Sequence, residues 1–285
     1  MIALSDHRDE LVHFIESALA EDIGDGDHSS LACIPASAAG RAHLLVKAPG
    51  IIAGLPLVEW IFHKVNPMCS VQYLLKDGDP IKPNHIAFII EGPSRALLTG
   101  ERLALNCLQR MSAIATKTHY FQSLLKGLPT KVLDTRKTTP GIRLLEKYAV
   151  SVGGGQNHRF GLYDMVMLKD NHIDFAGGIA EAISKTKHYL REIGKDLKIE
   201  VEARNLTEVE EIIAVGGIHR IMLDNFTFDD TRTAVEIIDG KYETEASGGI
   251  NENTIRQHAE CGVDFISVGA LTHSIYNLDM SLKAI

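Results

Sequence analysis

The second half of the chain repeats a strand, a loop and a helix at a nearly constant interval, and this rhythm limits the possible folds most strongly. Four short strand patterns, KIEVE, RIMLD, YETEA and FISVG, are each followed by a polar loop and a helical pattern. The residues that end or follow them, Glu202, Asp224, Ser247 and Gly269, lie 22, 23 and 22 residues apart. One β/α unit per interval predicts a parallel α/β barrel with its helices outside. In such barrels the reactive groups lie at the carboxyl ends of the strands.

The first 110 or so residues follow a different pattern. Strand patterns such as GRAHLLVKAPGIIAG and HIAFIIEG come in succession, and a long helix begins near Ser94. Strands followed by helix favour an α/β sandwich that precedes the barrel.

Composition excludes several classes of protein. The 285 residues carry a formal charge of −8, which disfavours a nucleic-acid partner. The first residues lack a signal-peptide pattern, and no apolar stretch reaches the roughly 18–20 residues of a membrane span. The widely spaced cysteines indicate free thiols in a reducing compartment, and we therefore expect a cytoplasmic protein without a membrane partner. These cysteines are Cys33, Cys69, Cys107 and Cys261.

A basic group flanks the predicted barrel strands. Arg136 and Lys137 lie in DTRKTTPG, His158 and Arg159 lie in GGGQNHRFG, and Lys169 ends YDMVMLK. Any one of them could be a solvated loop charge paired with a nearby acid. Together at strand ends of an acidic protein they favour a ligand with several negative charges, which arginine grips well.

An acidic pair ends two consecutive strands. Glu202 and Asp224 would lie on neighbouring walls of the barrel mouth. They could bind Mg²⁺ beside phosphate, act as a general acid and base, or pair structurally with Lys or Arg. Glu200 competes with Glu202, on the expectation that strand alternation sends one inward and the other outward. We choose Glu202 because it lies at the very end of the strand.

Two late glycine-containing loops predict a phosphate site. One precedes a helix expected to start near Asn251, and the other precedes a helix in the last unit. Backbone N–H groups at helix starts bind phosphate, and the last two barrel loops are a frequent phosphate site. The residues concerned are Ser247, Gly248, Gly249, Gly269 and Ala270.

Residues 134–173, DTRKTTPGIRLLEKYAVSVGGGQNHRFGLYDMVMLKDNHI, resemble the quinolinate phosphoribosyltransferase family. EDIGDGDHSS, GERLALNCLQRMSAIAT, IEVEARN, IMLDNF, EASGGIN and ISVGALTHS agree in order along the chain. The resemblance implies a type II phosphoribosyltransferase fold, with an N-terminal α/β sandwich over 1–112, joined by 274–285, and an open barrel of about seven strands over 113–273. It also implies a homodimer in which one subunit's N-terminal domain caps its partner's barrel.

The implied activity joins quinolinate to phosphoribosyl pyrophosphate with decarboxylation, using Mg²⁺. The resemblance assigns the two quinolinate carboxylates to cations and the phosphoribosyl donor to acids and glycine loops. One departure is Leu103, where the family pattern leads us to expect Thr after Glu-Arg. It implies that quinolinate is bound by Arg136, Arg159 and Lys169, with His158 close by and with Arg102 from the partner subunit. It implies that Lys137 approaches the reacting centre and the phosphoribosyl donor, that Lys169 also contacts this donor, and that Glu202 and Asp224 bind Mg²⁺-pyrophosphate and ribose. The residues implied for the 5′-phosphate are Ser247, Gly248, Gly249, Gly269 and Ala270.

Three alternatives stay open at the level of sequence. A pyrophosphorylase-like paralogue associated with molybdate transport would share the fold and use another acceptor. A barrel lyase would use Lys169 as a Schiff base, which needs a carbonyl substrate. A binding protein would keep the fold without catalysis. The presence of Arg102, Arg136, Arg159 and Lys169 together favours quinolinate.

Overall fold

The computed structural model describes residues 2–285, and chain contacts divide it into two units. The first contains the described residues up to His119 together with Thr138–Gly154 and Leu271–Ile285, and the second contains Tyr120–Lys137 and Gly155–Ala270. This division by contacts differs from the predicted boundary at residue 112, which stays a prediction about domains.

The first unit is built on a four-stranded antiparallel sheet in the order β12-β1-β5-β3, with a separate β2-β4 pair. Its last strand is the C-terminal segment of the chain, which pairs with β1 from Ala42–Ala284 to Val46–Met280. Two helices cross the division: α4 Ser94–Leu124 continues past His119 into the second unit, and α11 Ala270–His273 continues past Ala270 into the first. The other elements of the first unit are the 3₁₀ turn Leu4–His7, α1 Arg8–Ile23, α2 His28–Cys33, β1 Ala39–Val46, β2 Gly50–Ile51, α3 Leu55–Val65, β3 Ser70–Tyr73, β4 Pro80–Ile81, β5 Ile86–Pro93, α5 Arg143–Val152 and β12 Met280–Ala284.

Buried polar contacts explain why α5 groups with the first unit, although it lies within the barrel domain predicted over 113–273. Glu146 on α5 is fully buried and pairs with Arg110 of α4 at 2.7 Å. Tyr148 donates a hydrogen bond to Asp77 at 2.8 Å. A buried carboxylate is stable only when it is paired, so α5 is held where these partners are.

The second unit is built on a six-stranded parallel sheet in the order β6-β11-β10-β9-β8-β7. Gln156 adds a single parallel bridge to Leu133 beside β6, so the six strands with this bridge form the open barrel. Besides the ends of α4 and α11, its elements are β6 Lys131–Leu133, β7 Val166–Leu168, α6 Asp170–Ala176, α7 Ile179–Glu192, β8 Ile199–Ala203, α8 Leu206–Val215, β9 Arg220–Asp224, α9 Phe228–Ile238, β10 Glu243–Ser247, α10 Ile255–Glu260 and β11 Phe265–Ser267.

Local sequence explains how the barrel units form. All five residues of β8 are buried, as expected for a parallel strand covered on both faces. The following helices begin where a side chain caps the first turn: Asn205 accepts from the Glu208 amide, and Thr227 accepts from the Asp230 amide. Because the strands run parallel, their carboxyl ends and the side chains there meet at one edge of the sheet.

All four cysteines are free, with Cys33 exposed and the other three buried. Burial raises the pKa of Cys107 to about 12, which fits a small core side chain. Among the described residues, every helix is too short or too polar to cross a bilayer.

Candidate functional site

A cavity of about 320 Å³ lies in the second unit, where residues following several parallel strands converge. It combines cationic, acidic and hydroxyl side chains with two methionines from β7 and β9. Its lining residues are Thr135, Arg136, Lys137, His158, Arg159, Met167, Lys169, Met222, Glu245, Ser247 and Ser267.

The predicted basic group of the second unit is gathered in this cavity. Arg136, Lys137, Arg159 and Lys169 all line it, although 33 positions separate the first from the last. Burial lowers the pKa of Arg159, and repulsion by Arg136 lowers it further. The Arg159 guanidinium also donates to the Met165 carbonyl at 3.3 Å, which holds the side chain in place. Cations held this close together create a site for an anion with several charges.

Glu202 and Asp224, the predicted acidic pair, lie near the carboxyl ends of β8 and β9. Lys169 lies 3.7 Å from Glu202, as the ion pair between Nζ and Oε2. Burial raises the pKa of Glu202, Lys169 opposes that rise, and the charges of Asp224 and Asp170 add to it. The repulsion that Glu202 feels from Asp224 fits the position of the two carboxylates at the ends of neighbouring strands.

Glu200 corrects the expectation about strand alternation. Residues two apart on a strand point to the same face, so Glu200 and Glu202 both face the barrel interior. Glu202 contacts Lys169, whereas Glu200 is completely buried and lies 2.9 Å from Nε2 of His158. The expectation of one inward and one outward side chain was wrong, because that holds for neighbours and not for alternate residues.

His158 and Glu245 of the cavity lining belong to a buried charged cluster with Glu200 and Arg220, and sequence reasoning missed Glu245 and Arg220. Nε2 of His158 lies 2.9 Å from Glu200 and 3.4 Å from Glu245, and both carboxylates are fully buried. Arg220 pairs with Glu245 at 2.8 Å and stacks over Phe265 at 4.1 Å. The His/Glu/Glu set has the composition of a metal site, but the Arg220 guanidinium already neutralises Glu245. A charged residue inside each apolar strand, at positions 200 and 245, was the available sequence signal.

Protonation within this cluster follows from its burial and pairing. Burial raises the pKa of Glu200, and the charge of Glu245 adds to that, to about 7. Burial opposes the charge of Glu245, but His158 and then Arg220 hold its pKa below the usual value. Burial lowers the pKa of His158, and the two glutamates raise it. Protonation of Nδ1 would break the hydrogen bond that it accepts from the Arg159 backbone N–H at 2.7 Å, so this arrangement holds a neutral ring. In either charge state of the ring, the proton facing the glutamates lies on Nε2.

The glycine loop after β10 is shaped by the neighbouring loop after β9. The Asn225 amide donates to the Ser247 carbonyl at 2.9 Å, and Gly248 has a φ of 98°. A Cβ at Gly248 would lie 2.2 Å from Oδ1 of Asn225, so only glycine fits there. The helix after this loop, α10, begins at Ile255 and not near Asn251, because turns precede it. The Gly-Gly pair therefore belongs to a loop and not to a helix start.

The other predicted residues lie as follows. Gly269 and Ala270 are half-buried at the end of β11, where Ala270 begins the four-residue helix α11. Arg102 is an exposed residue of α4 in the first unit, and the adjacent Leu103 is buried. Thr135, Met167, Met222 and Ser267 also line the cavity and carried no distinctive sequence signal.

The fold and the cavity define an α/β barrel protein whose cationic site suits an anion with several charges. The model of the quinolinate phosphoribosyl transferase N-terminal domain matches residues 27–112, and that of its C-terminal domain matches residues 114–283. The chain belongs to the quinolinate phosphoribosyltransferase family.

Individual relatives agree with this assignment. A chloroplastic nicotinate-nucleotide pyrophosphorylase [carboxylating] of Arabidopsis thaliana is 43% identical over 96% of this chain and 82% of its own length. A probable nicotinate-nucleotide pyrophosphorylase [carboxylating] of Bacillus subtilis is 41% identical over 96% of this chain and 93% of its own. The solved nicotinate-nucleotide pyrophosphorylase of Francisella tularensis is 38% identical, with a TM-score of 0.91 over 97% of this chain and 96% of its own.

Proposed function

We propose that this protein transfers the phosphoribosyl group of phosphoribosyl pyrophosphate to quinolinate and decarboxylates the product. The ring nitrogen of quinolinate bonds to C1 of the ribose, and pyrophosphate leaves. The carboxylate next to the alkylated nitrogen then leaves as CO₂, and a proton takes its place on the ring. The products are nicotinate mononucleotide, pyrophosphate and CO₂, which serve the synthesis of NAD.

One observation carries this proposal: the cation-lined cavity matches a small dianion. Arg136, Arg159 and Lys169 line a volume of about 320 Å³, together with apolar contacts from two methionines. An aromatic ring with two carboxylates needs fixed positive charges together with apolar contacts of this kind. Lys137, on the same wall, would approach the reacting centre and the donor pyrophosphate.

We assign the binding of phosphoribosyl pyrophosphate to the acidic pair and the glycine loops. Two neighbouring carboxylates, Glu202 and Asp224, fit Mg²⁺, which prefers a few protein oxygens together with phosphate and water. Bound there, Mg²⁺ would neutralise charge on the departing pyrophosphate. The same carboxylates would stabilise positive charge developing on the ribose. We assign the 5′-phosphate to the loops of Ser247, Gly248, Gly249, Gly269 and Ala270.

The protein's own contribution to decarboxylation is orientation and charge. The alkylated ring nitrogen is positive and accepts the electrons that the leaving carboxylate releases. Arg136, Arg159 and Lys169 would hold both carboxylates before transfer, so that the ring nitrogen faces the ribose. No covalent nucleophile is required, and the ion pair of Lys169 with Glu202 disfavours a Schiff-base role for that lysine.

Turnover of quinolinate but not of nicotinate is the expected result of the first assay. Nicotinate lacks one carboxylate and would leave a cation without its partner, at a cost of about 1–3 kcal/mol or more. We therefore expect kcat/KM for nicotinate to be lower by about fivefold to 150-fold or more. The assay combines the purified protein, Mg²⁺, phosphoribosyl pyrophosphate and either acid, and measures nicotinate mononucleotide and CO₂. Equal turnover of both acids would refute the two-carboxylate assignment.

The protein is proposed to act as a homodimer in which Arg102 serves the partner subunit's site. Arg102 is exposed on α4, and it is not among the residues lining the barrel cavity of its own chain. If each site uses two chains, inactive Arg102→Ala and Arg136→Ala subunits should complement each other. Mixing them under conditions of subunit exchange is expected to restore up to about a quarter of wild-type activity, since random mixing gives half heterodimers with one intact site each.

The matched control mixes Arg136→Ala with Arg159→Ala, because both residues belong to the same barrel cavity and cannot complement. Restored activity in that control would show that rescue does not report on shared sites. Confirmed subunit exchange without rescue of the Arg102→Ala and Arg136→Ala pair would remove Arg102 from the partner's site.

We propose a cytoplasmic location, because all four cysteines are free thiols, which is usual in a reducing compartment. Fractionation of the native source with an antibody to the protein would test this.

A further inference from the structure

His158 lies in the proposed quinolinate cavity, yet both of its ring nitrogens already have partners inside the protein. Nδ1 accepts a hydrogen bond from the Arg159 backbone N–H at 2.7 Å. Nε2 lies 2.9 Å from Glu200 and 3.4 Å from Glu245. A substrate carboxylate needs an N–H donor. Nδ1 is an acceptor here, and the Nε2 proton faces two buried carboxylates, so neither nitrogen offers that donor to quinolinate.

The backbone around His158 is also held by Asp134, the residue that follows β6. Asp134 is completely buried, and its Oδ1 accepts from the His158 backbone N–H at 2.9 Å. Its Oδ2 accepts from the side-chain amide of Asn157 at 2.6 Å. Asp134 thus fixes this segment through its hydrogen bonds to Asn157 and His158, and the two glutamates fix it through the His158 ring.

The two glutamates are suited to fixing the ring rather than to reacting. Glu245 is held by Arg220, which lies 2.8 Å away. Glu200 is fully buried, and His158 is its ion-pair partner at 2.9 Å. A buried carboxylate is stabilised by a hydrogen-bond donor beside it, so Glu200 and Glu245 favour the His158 tautomer that carries its proton on Nε2. That tautomer leaves the Nδ1 lone pair for the Arg159 amide.

We propose that His158 is a positioning residue for Arg159 and not a ligand of quinolinate, with Glu200 and Glu245 fixing its Nε2–H tautomer. The inference rests on the proposed function and refines one of its site assignments. In this arrangement the glutamates orient the His158 ring, and Nδ1 of the ring orients the backbone N–H of Arg159. Arg159 then presents its guanidinium to the substrate carboxylate. The contact between His158 and the Arg159 backbone therefore helps to fix the position of the Arg159 guanidinium relative to the substrate.

The first test is the tautomer itself, read in the protein with ¹⁵N-labelled histidine by long-range ¹H–¹⁵N correlation. The His158 signal, one of 13 histidines, is assigned as the one lost in His158→Gln. We expect Nδ1 to be unprotonated and Nε2 to be protonated, before and after quinolinate is added. Protonated Nδ1 in the free protein, or Nδ1 gaining a proton when quinolinate binds, would overturn the proposal.

The second test is a double-mutant cycle on quinolinate binding, measured by calorimetry with His158→Gln, Arg159→Ala and the double variant. His158→Gln alone is expected to raise the Kd at least fivefold, because Arg159 is then aimed less well. In the Arg159→Ala background the same change should alter the Kd by no more than about twofold, the usual limit for additive sites. A full repeat of the single effect in that background would show that His158 binds quinolinate directly. No effect of the single variant would show that His158 does not position Arg159.

Glu200→Met serves if His158→Gln does not fold. It leaves no buried charge unpaired, because His158 can be neutral and Glu245 still pairs with Arg220. It should shift the His158 tautomer towards Nδ1–H and weaken quinolinate binding, again without further effect in the Arg159→Ala background. An unchanged tautomer and Kd in Glu200→Met would contradict the role given to this glutamate. Wild-type protein that fails to bind quinolinate at all would count against the proposed function, whereas the tautomer in the free protein still tests the positioning role.

Discussion

Replacing Arg159 with alanine is expected to lower kcat/KM for quinolinate by about 30- to 3,000-fold, mainly through a higher KM. Removing one partner of a desolvated charge pair costs about 2–5 kcal/mol, and each 1.4 kcal/mol corresponds to about tenfold. Arg159 is half-buried, is anchored to the Met165 carbonyl and lines the same cavity as Arg136. The variant would leave one carboxylate of quinolinate without its donor. Steady-state kinetics with each substrate varied in turn would measure the effect, and the KM for phosphoribosyl pyrophosphate should change little.

Arg232→Ala is the matched control, since it removes the same side chain from the same unit. Arg232 lies on α9 with 53% of its side chain exposed, and it pairs with Asp229 at 3.1 Å. An exposed pair of this kind is worth about 0–1 kcal/mol, so kinetics close to wild type are expected. An Arg159→Ala enzyme with an unchanged KM for quinolinate would show that the cationic wall of the cavity does not bind this substrate.

Neutralising the acidic pair should reduce kcat by about 100- to 1,000-fold for either Glu202→Gln or Asp224→Asn. The amides keep the shape of the side chains but remove the charge that stabilises the transition state, which is worth about this much for a single preorganised group. The two residues are proposed to share one Mg²⁺ with the pyrophosphate, so the double variant should lose less than the product of the two single losses. The Mg²⁺ concentration for half-maximal activity should rise in both single variants. Initial rates measured over a Mg²⁺ titration test both expectations.

Glu210→Gln on α8 provides the corresponding control, because this carboxylate is exposed and lies outside the cavity. Its rate and Mg²⁺ dependence should match those of the wild type. If Glu202→Gln and Asp224→Asn kept normal rates and normal Mg²⁺ dependence, the metal and the charge stabilisation would have to be assigned elsewhere.

Prediction from sequence succeeded where a local pattern has a single structural outcome. Strands such as RIMLD at 220–224 recur every 22 or 23 residues with helices between them, and a chain with that rhythm has few ways to bury its apolar strands other than a parallel sheet. The basic loops after β6 and β7 follow from the same rule, because parallel strands bring their carboxyl ends together. The family resemblance of residues 134–173 then supplied roles for these residues, which remain proposals to be tested.

Prediction failed where a residue's role depends on partners that are distant in sequence. Glu245 and Glu200 lie within strands and are 45 positions apart, and only the folded sheet places both beside His158. The start of α10 at Ile255 was missed because a Gly-Gly pair permits several turns, and the choice among them depends on how Asn225 packs against Gly248.

The sequence by itself determined the order of strands and helices, the family and the set of charged residues available for an anionic substrate. These are properties of local periodicity and of residue type, which do not depend on distant contacts. Only the tertiary structure decided which nitrogen of His158 faces the glutamates, that Glu200 lies deep while Glu202 stays with Lys169, and that α5 packs through Glu146 and Arg110. The physical reason is that burial and charge pairing are properties of three-dimensional neighbours, and a buried charge is stable only where the fold supplies its partner.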